Sequence, residues 1–299
     1  MKFAMFRSGR SRHLGLLARN EDTASPLRVV DLTEAGLARD LVDLIGKFDG
    51  LRSRLAELRD AGPMVEVEAY QLLAPIPRPA RNIFCVGKNY REHAREFAAS
   101  GFDAAAASAT DLPADPIIFS KPPSCVIGTG QPIPRHLDPT DTVDYEGEFA
   151  IIVGRSGRVG ADDDPMDFVF GYTLLNDVTA RELQKRHKQW LLGKGIDGFC
   201  PMGPIVVCRD AVGAPAGVRL ETYVNDELRQ SATLAELIFD VPTLVAVIGR
   251  SISLQVGDII ATGTPAGVGI GFDPPRYLRR ADVVRIQATG LGVLENPVS

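Results

Sequence analysis

The sequence predicts an α+β fold that is mostly β-sheet. Short apolar runs with strand-forming residues recur along the chain, and turns rich in glycine and proline separate them. Helical patterns are fewer and are scattered among these runs, which disfavours a fold of βαβ repeats. The predicted strands cover residues 82–86, 117–119, 149–153, 169–175, 204–207, 220–224, 258–261 and 283–288, and the predicted helices cover 90–99, 179–192 and 234–251.

The first 75 residues are predicted to form a small N-terminal α/β domain, followed by a catalytic domain over residues 76–299. Residues 3–17 alternate in polarity as a β-hairpin does, with its turn at residues 8–11. Apolar side chains between Leu37 and Leu58 recur at helical spacing. The proline-rich segment 73–79 favours an extended connector and marks the predicted boundary.

Composition excludes several classes of protein. Of the 299 residues, 45% are hydrophobic and 24% are charged, which is ordinary for a globular protein. A net charge of −5 without a long basic stripe argues against a nucleic-acid partner. No apolar run reaches the ~18 residues of a membrane span. Four widely spaced cysteines and an N-terminus without a long apolar segment favour a reducing, cytoplasmic location over a disulfide framework or a zinc site.

The most informative feature is a pair of glutamates at the start of a predicted strand. Glu146 and Glu148 are two residues apart, so a strand directs both side chains to one face. Neighbouring carboxylates in a low-dielectric site repel each other unless a proton or a cation lies between them. Asp177 follows the next predicted strand and offers a third carboxylate. Three carboxylates suit a hard divalent cation, and we therefore predict a Mg²⁺ or Mn²⁺ site.

A second candidate group lies on the predicted helix 90–99. His93 and Glu96 are three residues apart and share one helix face, and Asn89 is expected to cap the helix. A carboxylate beside a histidine orients the ring and raises its basicity, which prepares a general base. The alternative is an exposed polar helix with an incidental pair. The alanine- and aspartate-rich stretch 101–113 is predicted to be a mobile loop that, with this helix, covers the substrate.

Two glycine-rich segments carry further candidates. In residues 192–204, glycines flank Lys194, so its ammonium group could approach a substrate carboxylate or carbonyl; the alternative is a surface turn. Residues 257–269 lack the residue order of a nucleotide-binding loop and instead predict a tight turn in which Thr264 faces a small anion. The basic run 185–188 is predicted to be a solvated helix face, with attraction of an anionic substrate as the alternative.

Taken together, these motifs resemble the fumarylacetoacetate hydrolase family from Pro75 to the C-terminus. They occur in the order of the family: Asn-Tyr-x-x-His-x-x-Glu at 89–96, Asp-Tyr-Glu-Gly-Glu at 144–148, Asn-Asp-Val-Thr-Ala-Arg at 176–181, Gly-Lys and Pro-Met-Gly-Pro within 193–204, and Ala-Thr-Gly-Thr-Pro-Ala-Gly-Val-Gly at 261–269. The N-terminal segment resembles a subgroup with a small extra domain. That subgroup includes YisK-type oxaloacetate decarboxylases and hydrolases of acylpyruvates such as maleylpyruvate and fumarylpyruvate.

The resemblance implies a mixed β-sandwich roll, a homodimer and a role for each candidate residue. The implied metal ligands are Glu146, Glu148 and Asp177. The implied catalytic residues are His93 and Glu96, which activate water, and Lys194, which stabilises an oxyanion. The implied substrate-binding group is Thr264, Gln184 and Arg181. Gly195 and Gly198 replace a serine and a threonine that are common in the family, which is expected to loosen the substrate-side wall.

The predicted activity is metal-dependent hydrolysis of a carbon–carbon bond in a 2,4-diketo acid. An acylpyruvate such as maleylpyruvate or fumarylpyruvate would give pyruvate and a carboxylic acid. The alternative is decarboxylation of oxaloacetate, which uses the same metal and the same enolate. A third possibility is a catalytically inactive binding protein on this scaffold.

Overall fold

One long helix, a large mixed β-sheet and a smaller antiparallel sheet form three layers of the structure. This computed structural model describes residues 1–19, 26–102 and 112–299. The predicted mobile loop at 101–113 lies largely outside the described residues. Within the described part of the chain, no helix is both long and apolar enough to cross a bilayer.

The N-terminal segment forms a hairpin, a third strand, the long helix and a short strand. Their bounds are β1 (Lys2–Ser8), β2 (Ser11–Leu17), β3 (Leu27–Asp31), α1 (Leu41–Ala61) and β4 (Val65–Val67). Ser8 lies opposite Ser11, which confirms the predicted hairpin and its turn. Helix α1 begins after Asp40, whose side chain accepts a hydrogen bond from the Asp43 N–H and so caps the helix.

The remaining chain alternates short helices with strands of both sheets. Its elements are β5 (Ile83–Gly87), α2 (Arg91–Ala99), β6 (Ile117–Lys121), β7 (Val126–Ile127), β8 (Val143–Asp144), β9 (Gly147–Val153), β10 (Val169–Asn176), β11 (Thr179–Ala180), α3 (Arg181–His187), α4 (Leu191–Lys194), β12 (Cys200–Cys208), α5 (Arg209–Val212), β13 (Arg219–Val224), β14 (Glu227–Thr233), α6 (Val241–Ser251), β15 (Ile259–Ala261), β16 (Val283–Ala288) and β17 (Gly292–Pro297).

The strands are arranged in one large sheet, one four-stranded sheet and a small two-stranded pair. The large sheet has the order β4-β3-β2-β1-β12-β10-β9-β15-β5-β6, with β7 paired to β12. The four-stranded sheet has the order β14-β13-β16-β17, and β8 pairs with β11. Among the described strands, only β15–β5 and β12–β7 are parallel pairs. The prediction of an α+β fold that is mostly β is confirmed.

Strand β9 shows how the layers are packed. Phe149, Ile151 and Val153 belong to an apolar cluster with the four-stranded sheet and α6, whereas Ala150 and Ile152 belong to a cluster with α1. Both faces of the strand are therefore covered. This explains why β9 has consecutive apolar residues from Phe149 to Val153 instead of apolar residues that alternate with polar ones.

Two of the predicted helices are shorter in the structure. The predicted helix 179–192 is divided, because α3 ends at His187 and Lys188 then has a φ of 57°, outside the helical region. The predicted helix 234–251 begins instead at Val241, where Asp240 accepts the Thr243 N–H and Pro242 occupies the first turn. Both predicted helices were too long because the neighbouring residues are also compatible with a helix, so the composition did not reveal where each helix ends or begins.

Side chains on both sides of residue 75 pack in the cluster beneath α1. The Phe48 ring lies edge-on to the Phe170 ring at 5.0 Å and to the Phe3 ring at 6.2 Å between ring centroids. Strand β1 also pairs with β12 of the later segment. The division into domains at residue 75 stays a prediction, and Phe48 offers a way to probe it.

We expect Phe48→Ala to lower the free energy of unfolding by about 3–5 kcal/mol, since the cavity opens within a shared apolar cluster. Urea denaturation followed by circular dichroism should show one transition at lower urea concentration. Tyr70→Ala is the matched control, because that ring is 84% exposed and its loss should change the free energy by less than about 0.5 kcal/mol. Two separate transitions would instead indicate that the N-terminal segment unfolds on its own.

Candidate active site

The ends of β9 and β10 bring the three predicted metal ligands together. Gly147 lies opposite Asn176 in the antiparallel pair, so Glu146 and Asp177 are adjacent at the same end of the sheet. The Asp177 N–H donates to the Glu146 carbonyl at 2.8 Å, and the Asn176 side chain accepts the Glu146 N–H at 3.0 Å. Carboxylate oxygens of Glu146, Glu148 and Asp177 all lie within 4.8 Å of one another, and all three residues are buried.

Three cationic side chains surround these carboxylates. Lys194 Nζ lies 2.7 Å from a carboxylate oxygen of Glu146 and 2.7 Å from one of Asp177. Arg181 Nη1 lies 2.6 Å from Glu146, and Lys121 Nζ lies 2.7 Å from Asp177. The sequence analysis missed Lys121, which is the last residue of β6 and is fully buried. Its only sequence signal is a lysine at a strand end before two prolines, which usually indicates a solvated terminus.

The three carboxylates differ in how far the neighbouring cations neutralise their negative charge. Burial raises the pKa of Glu148, and the neighbouring charges of Asp177 and Glu146 raise it further, to well above its usual range. Burial also opposes ionisation of Glu146, but Lys194 and Arg181 outweigh that effect and lower its pKa to about 2. The cluster therefore lacks positive charge on the side of Glu148. A buried set of carboxylate oxygens with this deficit fits a hard divalent cation such as Mg²⁺ or Mn²⁺.

Arg181 connects the three-carboxylate cluster to a fourth buried acid, Asp144. Its Nε donates to Asp144 at 2.9 Å, and its Nη2 is buried without a hydrogen-bond partner among the described residues. Asp144 also accepts the N–H groups of Gly269 and Ile270, at 2.7 and 3.1 Å. The sequence analysis quoted Asp144 only as part of a motif. The structure shows that it holds both Arg181 and the glycine-rich segment beside the site.

Thr264 and Gln184 differ in which of their hydrogen-bonding groups are available to a ligand in the candidate site. The Thr264 hydroxyl donates to the Gly147 carbonyl at 2.9 Å and accepts from the Gln230 amide at 2.8 Å. Binding of a substrate through this hydroxyl therefore requires its proton to turn away from Gly147. The Gln184 side-chain oxygen accepts from Arg181 Nη1 at 3.2 Å, which leaves its amide N–H groups as donors.

Helix α2 holds the predicted histidine–glutamate pair. His93 is buried, and its Nδ1 lies 3.0 Å from one carboxylate oxygen of Glu96. The other Glu96 oxygen accepts the Gly267 N–H at 2.9 Å. With Nδ1 held, Nε2 is the ring nitrogen available to a substrate. The His–Glu contact that the spacing predicted is present, and the alternative of an exposed polar helix face is wrong for His93.

The prediction that Asn89 caps α2 is wrong. Tyr90 occupies the N-cap position and makes no side-chain capping bond. The Asn89 amide instead donates to the carbonyls of Phe239 and Thr262, at 3.0 and 2.8 Å, and its side-chain oxygen accepts the Phe239 N–H. These bonds fasten the start of the helix to two segments that are distant in sequence, so no local pattern could indicate them.

Most of the predicted site residues line one cavity, which we call the inner cavity, and its empty space of about 300 Å³ includes a part that is open to solvent. Its polar side is formed by His93, Glu146, Glu148, Arg181, Gln184, Lys194 and Thr264. Asp177 and Glu96 lie behind this lining and contact Lys194 and His93. The apolar part of the lining includes Phe97, Phe119 and Trp190, none of which the sequence analysis assigned.

Gly195 and Gly198 are not among the residues that line the inner cavity. A Cβ at Gly195 would lie 2.6 Å from the Leu191 carbonyl oxygen. Gly198 has a φ of 77°, and a Cβ there would lie 2.7 Å from Pro134. A close backbone contact therefore accounts for Gly195, and the positive φ with the nearby Pro134 ring accounts for Gly198. Neither glycine forms the substrate-side wall that the sequence analysis expected them to loosen.

The raised pKa of Glu148 has a consequence for metal affinity. Below that pKa the carboxyl group holds a proton that a cation must displace, so affinity should fall as the pH falls, by up to about tenfold per pH unit. Calorimetric titration of the metal-free protein with Mn²⁺ in two buffers of different ionisation enthalpy should show proton release. A pH-independent affinity with no released proton would contradict this expectation.

Comparison with known proteins shows to which family the chain belongs. A family model described as "Fumarylacetoacetate (FAA) hydrolase C-terminal" matches residues 82–299. The chain belongs to the fumarylacetoacetate hydrolase family. Within it, the chain is 45% identical over 235 residues to the oxaloacetate tautomerase YisK of Bacillus subtilis, which covers 79% of this chain and 75% of that protein.

Two further proteins resemble the chain over most of its length. A mitochondrial oxaloacetate tautomerase of Xenopus laevis is 34% identical over 296 residues, covering 93% of this chain and 88% of the relative. The crystal structure of maleylpyruvate hydrolase from Sphingobium sp. SYK-6, in complex with manganese(II) and pyruvate, aligns with a TM-score of 0.76 at 30% identity. That alignment covers 100% of this chain and 98% of the hydrolase, so the N-terminal segment also has a counterpart there.

Proposed function

We propose that this protein is a metal-dependent tautomerase that interconverts the keto and enol forms of oxaloacetate. One structural observation carries the proposal: His93, which is buried and paired with Glu96, lines one small cavity together with Glu146 and Glu148 of the three-carboxylate cluster. Enolisation of a 2-oxo acid needs both a base for the carbon-bound proton and positive charge for the enolate oxygen. The two relatives named as oxaloacetate tautomerases support the choice of oxaloacetate.

The cation site would be formed by Glu146, Glu148 and Asp177. Mg²⁺ or Mn²⁺ bound there supplies a Lewis acid that stabilises negative charge on the substrate oxygen. Lys121 and Lys194 hold Asp177 from two sides, so this carboxylate keeps its orientation toward the cluster. The unpartnered Arg181 Nη2 and the Gln184 amide are donors suited to a substrate carboxylate.

His93 would move the proton between carbon and oxygen. Its Nε2 takes a proton from the carbon next to the keto group, while the electron pair of that C–H bond forms the carbon–carbon double bond and the keto oxygen becomes negative. Glu96 stabilises the resulting imidazolium through Nδ1. The Lys194 ammonium stabilises the negative oxygen until that oxygen takes the proton from the His93 imidazolium, which completes the enol and restores neutral His93. The reverse sequence of the same steps converts the enol to the ketone.

Hydrolysis of an acylpyruvate, the first hypothesis from the sequence, remains a second candidate. The same His93–Glu96 pair could take a proton from water, whose oxygen would attack the distal carbonyl, with Lys194 stabilising the oxyanion. The observation that favours it is the structural similarity to a maleylpyruvate hydrolase that binds manganese(II) and pyruvate. Decarboxylation of oxaloacetate requires the same enolate but no base. A homodimer is the assembly we propose, on the resemblance to the family.

These activities can be separated with the Mn²⁺-loaded protein. Enol-oxaloacetate is mixed with protein, and loss of the enol is followed by its ultraviolet absorbance while pyruvate is measured with lactate dehydrogenase. We expect rapid loss of the enol without formation of a matching amount of pyruvate. The kcat/KM for maleylpyruvate should be at least about tenfold lower than that for enol-oxaloacetate, which corresponds to a difference of about 1.4 kcal/mol in transition-state free energy. Pyruvate formation as fast as enol loss would indicate a decarboxylase. Faster turnover of maleylpyruvate would indicate a hydrolase, and inertness toward both a binding protein.

A further inference from the structure

A buried glutamine behind the inner cavity connects three parts of the candidate site. Gln230 lies on β14 of the four-stranded sheet, is 1% exposed and does not line the cavity. Its side-chain oxygen accepts the Gly147 N–H at 3.0 Å. Its side-chain nitrogen donates to the Thr264 hydroxyl at 2.8 Å and to the Pro265 carbonyl at 2.7 Å. The sequence analysis did not assign Gln230, whose three partners lie 34 to 83 positions away along the chain.

The lack of a side chain at Gly147 allows Gln230 to reach this segment. Gly147 separates the proposed metal ligands Glu146 and Glu148. A Cβ at Gly147 would lie 2.1 Å from the Thr222 hydroxyl oxygen and 3.3 Å from the Gln230 side-chain oxygen. Thr222 lies opposite Gln230 in the β13–β14 pair. Side chains of the four-stranded sheet therefore pack directly against the backbone between two proposed metal ligands.

The orientation of the Gln230 amide follows from its partners. The Gly147 N–H can only donate, so the atom that faces it must be the amide oxygen. The Pro265 carbonyl can only accept, so the atom that faces it must be the amide nitrogen. A flipped amide would place two donors together on one side and two acceptors together on the other. The Thr264 hydroxyl consequently always meets an N–H group of Gln230.

This fixed amide determines what the Thr264 hydroxyl offers to a ligand. A hydroxyl has one proton and two lone pairs, and the Gln230 N–H occupies one lone pair of Thr264. The hydroxyl proton therefore points either to the Gly147 carbonyl, at 2.9 Å, or to a ligand in the inner cavity. Because the hydroxyl already accepts one hydrogen bond, the bond that it donates is strengthened. An ionised oxygen gains most from such a donor.

We infer that Gln230 is a positioning residue that prepares the Thr264 hydroxyl as a hydrogen-bond donor to a carboxylate oxygen of the substrate. The same amide holds the Gly147 backbone, so it fixes this donor relative to the neighbouring metal ligands. The inference rests on the proposed function, because the substrate must be a 2-oxo acid held beside the cluster. It deepens that function, since part of the recognition of the acid then depends on a residue that does not touch it.

A double-mutant cycle in the affinity for oxalate tests this inference. Oxalate resembles the metal-binding end of a 2-oxo acid, and its affinity for the Mn²⁺-loaded protein is measured by calorimetry. Gln230→Met removes the amide with little change in volume, Thr264→Val removes the hydroxyl, and Thr264→Ser keeps it. We expect Gln230→Met to weaken oxalate binding by at least about tenfold in the wild-type and Thr264→Ser proteins. In the Thr264→Val protein the same change should weaken it by less than about threefold, because the group through which Gln230 acts is already absent.

The matched control is Gln287→Met on β16 of the same sheet. The Gln287 amide donates to Glu221 at 2.8 Å and does not line the inner cavity, so its loss should leave the affinity for oxalate unchanged. Losses that arise from the Gly147 bond occur in all three backgrounds and cancel in the comparison. Urea denaturation of each variant measures the fold. If Gln230→Met does not fold, Gln230→Glu replaces it, because it keeps the shape and the acceptor for Gly147 but has at most one proton to donate instead of two.

Three outcomes would contradict these expectations. Equal weakening of oxalate binding by Gln230→Met in the Thr264→Val and Thr264→Ser proteins would overturn the inference and leave the proposed function intact. So would an unchanged affinity for oxalate after Gln230→Met in the wild-type background. A Mn²⁺-loaded wild-type protein that does not bind oxalate would instead overturn the proposed function, on which the inference rests.

Discussion

Glu148→Gln is expected to weaken metal binding strongly and to remove most of the activity while leaving the fold intact. Glutamine has the same shape as the glutamic acid and can still accept the Gly263 N–H, which lies 2.9 Å from the Glu148 carboxylate. It lacks the negative charge that the cation needs. We expect the affinity for Mn²⁺ to fall by at least about 100-fold, the upper end of the losses seen for residues that only orient metal ligands.

Calorimetry with Mn²⁺ measures the affinity, and urea denaturation of the metal-free protein measures the fold. The free energy of unfolding should change little, because burial raises the pKa of Glu148 and so already disfavours its charged form when no cation is bound. Glu57→Gln, an exposed change on α1, is the matched control and should alter neither quantity. Full turnover by Glu148→Gln would rule out the proposed metal site.

His93→Ala should have the second largest effect. Removal of a general acid–base residue typically lowers the rate by about 10²–10⁴-fold, and we expect kcat for enol-oxaloacetate to fall in that range. The affinity for Mn²⁺ should stay within about threefold, because His93 is not among the three proposed ligands. Steady-state kinetics with the absorbance assay, together with calorimetry, distinguishes loss of the base from loss of the metal.

The matched control for His93→Ala is His13→Ala. His13 Nδ1 lies 2.7 Å from Asp31, so the control removes a similar histidine–carboxylate pair that is distant from the site. Glu96→Gln should reduce kcat less than His93→Ala, because the ring stays while the charged partner that orients it is lost. A His93→Ala protein that keeps more than about a tenth of the wild-type rate would argue against the base role.

Features within one short stretch could be predicted from the sequence. Glu146 and Glu148 share a face because a strand repeats every two residues, and His93 and Glu96 meet because a helix brings residues three apart together. The apolar runs of the central strands were recognisable since both faces of the large sheet are covered. These patterns sufficed for the fold class and for the three carboxylates.

Contacts between distant segments could not be predicted in this way. Lys121 bonds to Asp177, which lies 56 positions further along the chain, and no feature of a single strand end reveals a partner at that separation. The Asn89 side chain reaches Phe239, 150 positions away, instead of capping its own helix. Lys88 comes from the segment between β5 and α2 and Lys185 comes from α3, and only the fold brings them to one place.

The two bonds of Glu96 have a consequence for the timing of catalysis. One oxygen orients His93, and the other accepts the Gly267 N–H of the segment that also carries Thr264. If α2 moves away from that segment, Glu96 loses its anchor and the imidazole loses its fixed orientation. Under the proposed function, His93 would be a competent base only while α2 contacts this segment, so the keto–enol step would be confined to the closed arrangement of the site.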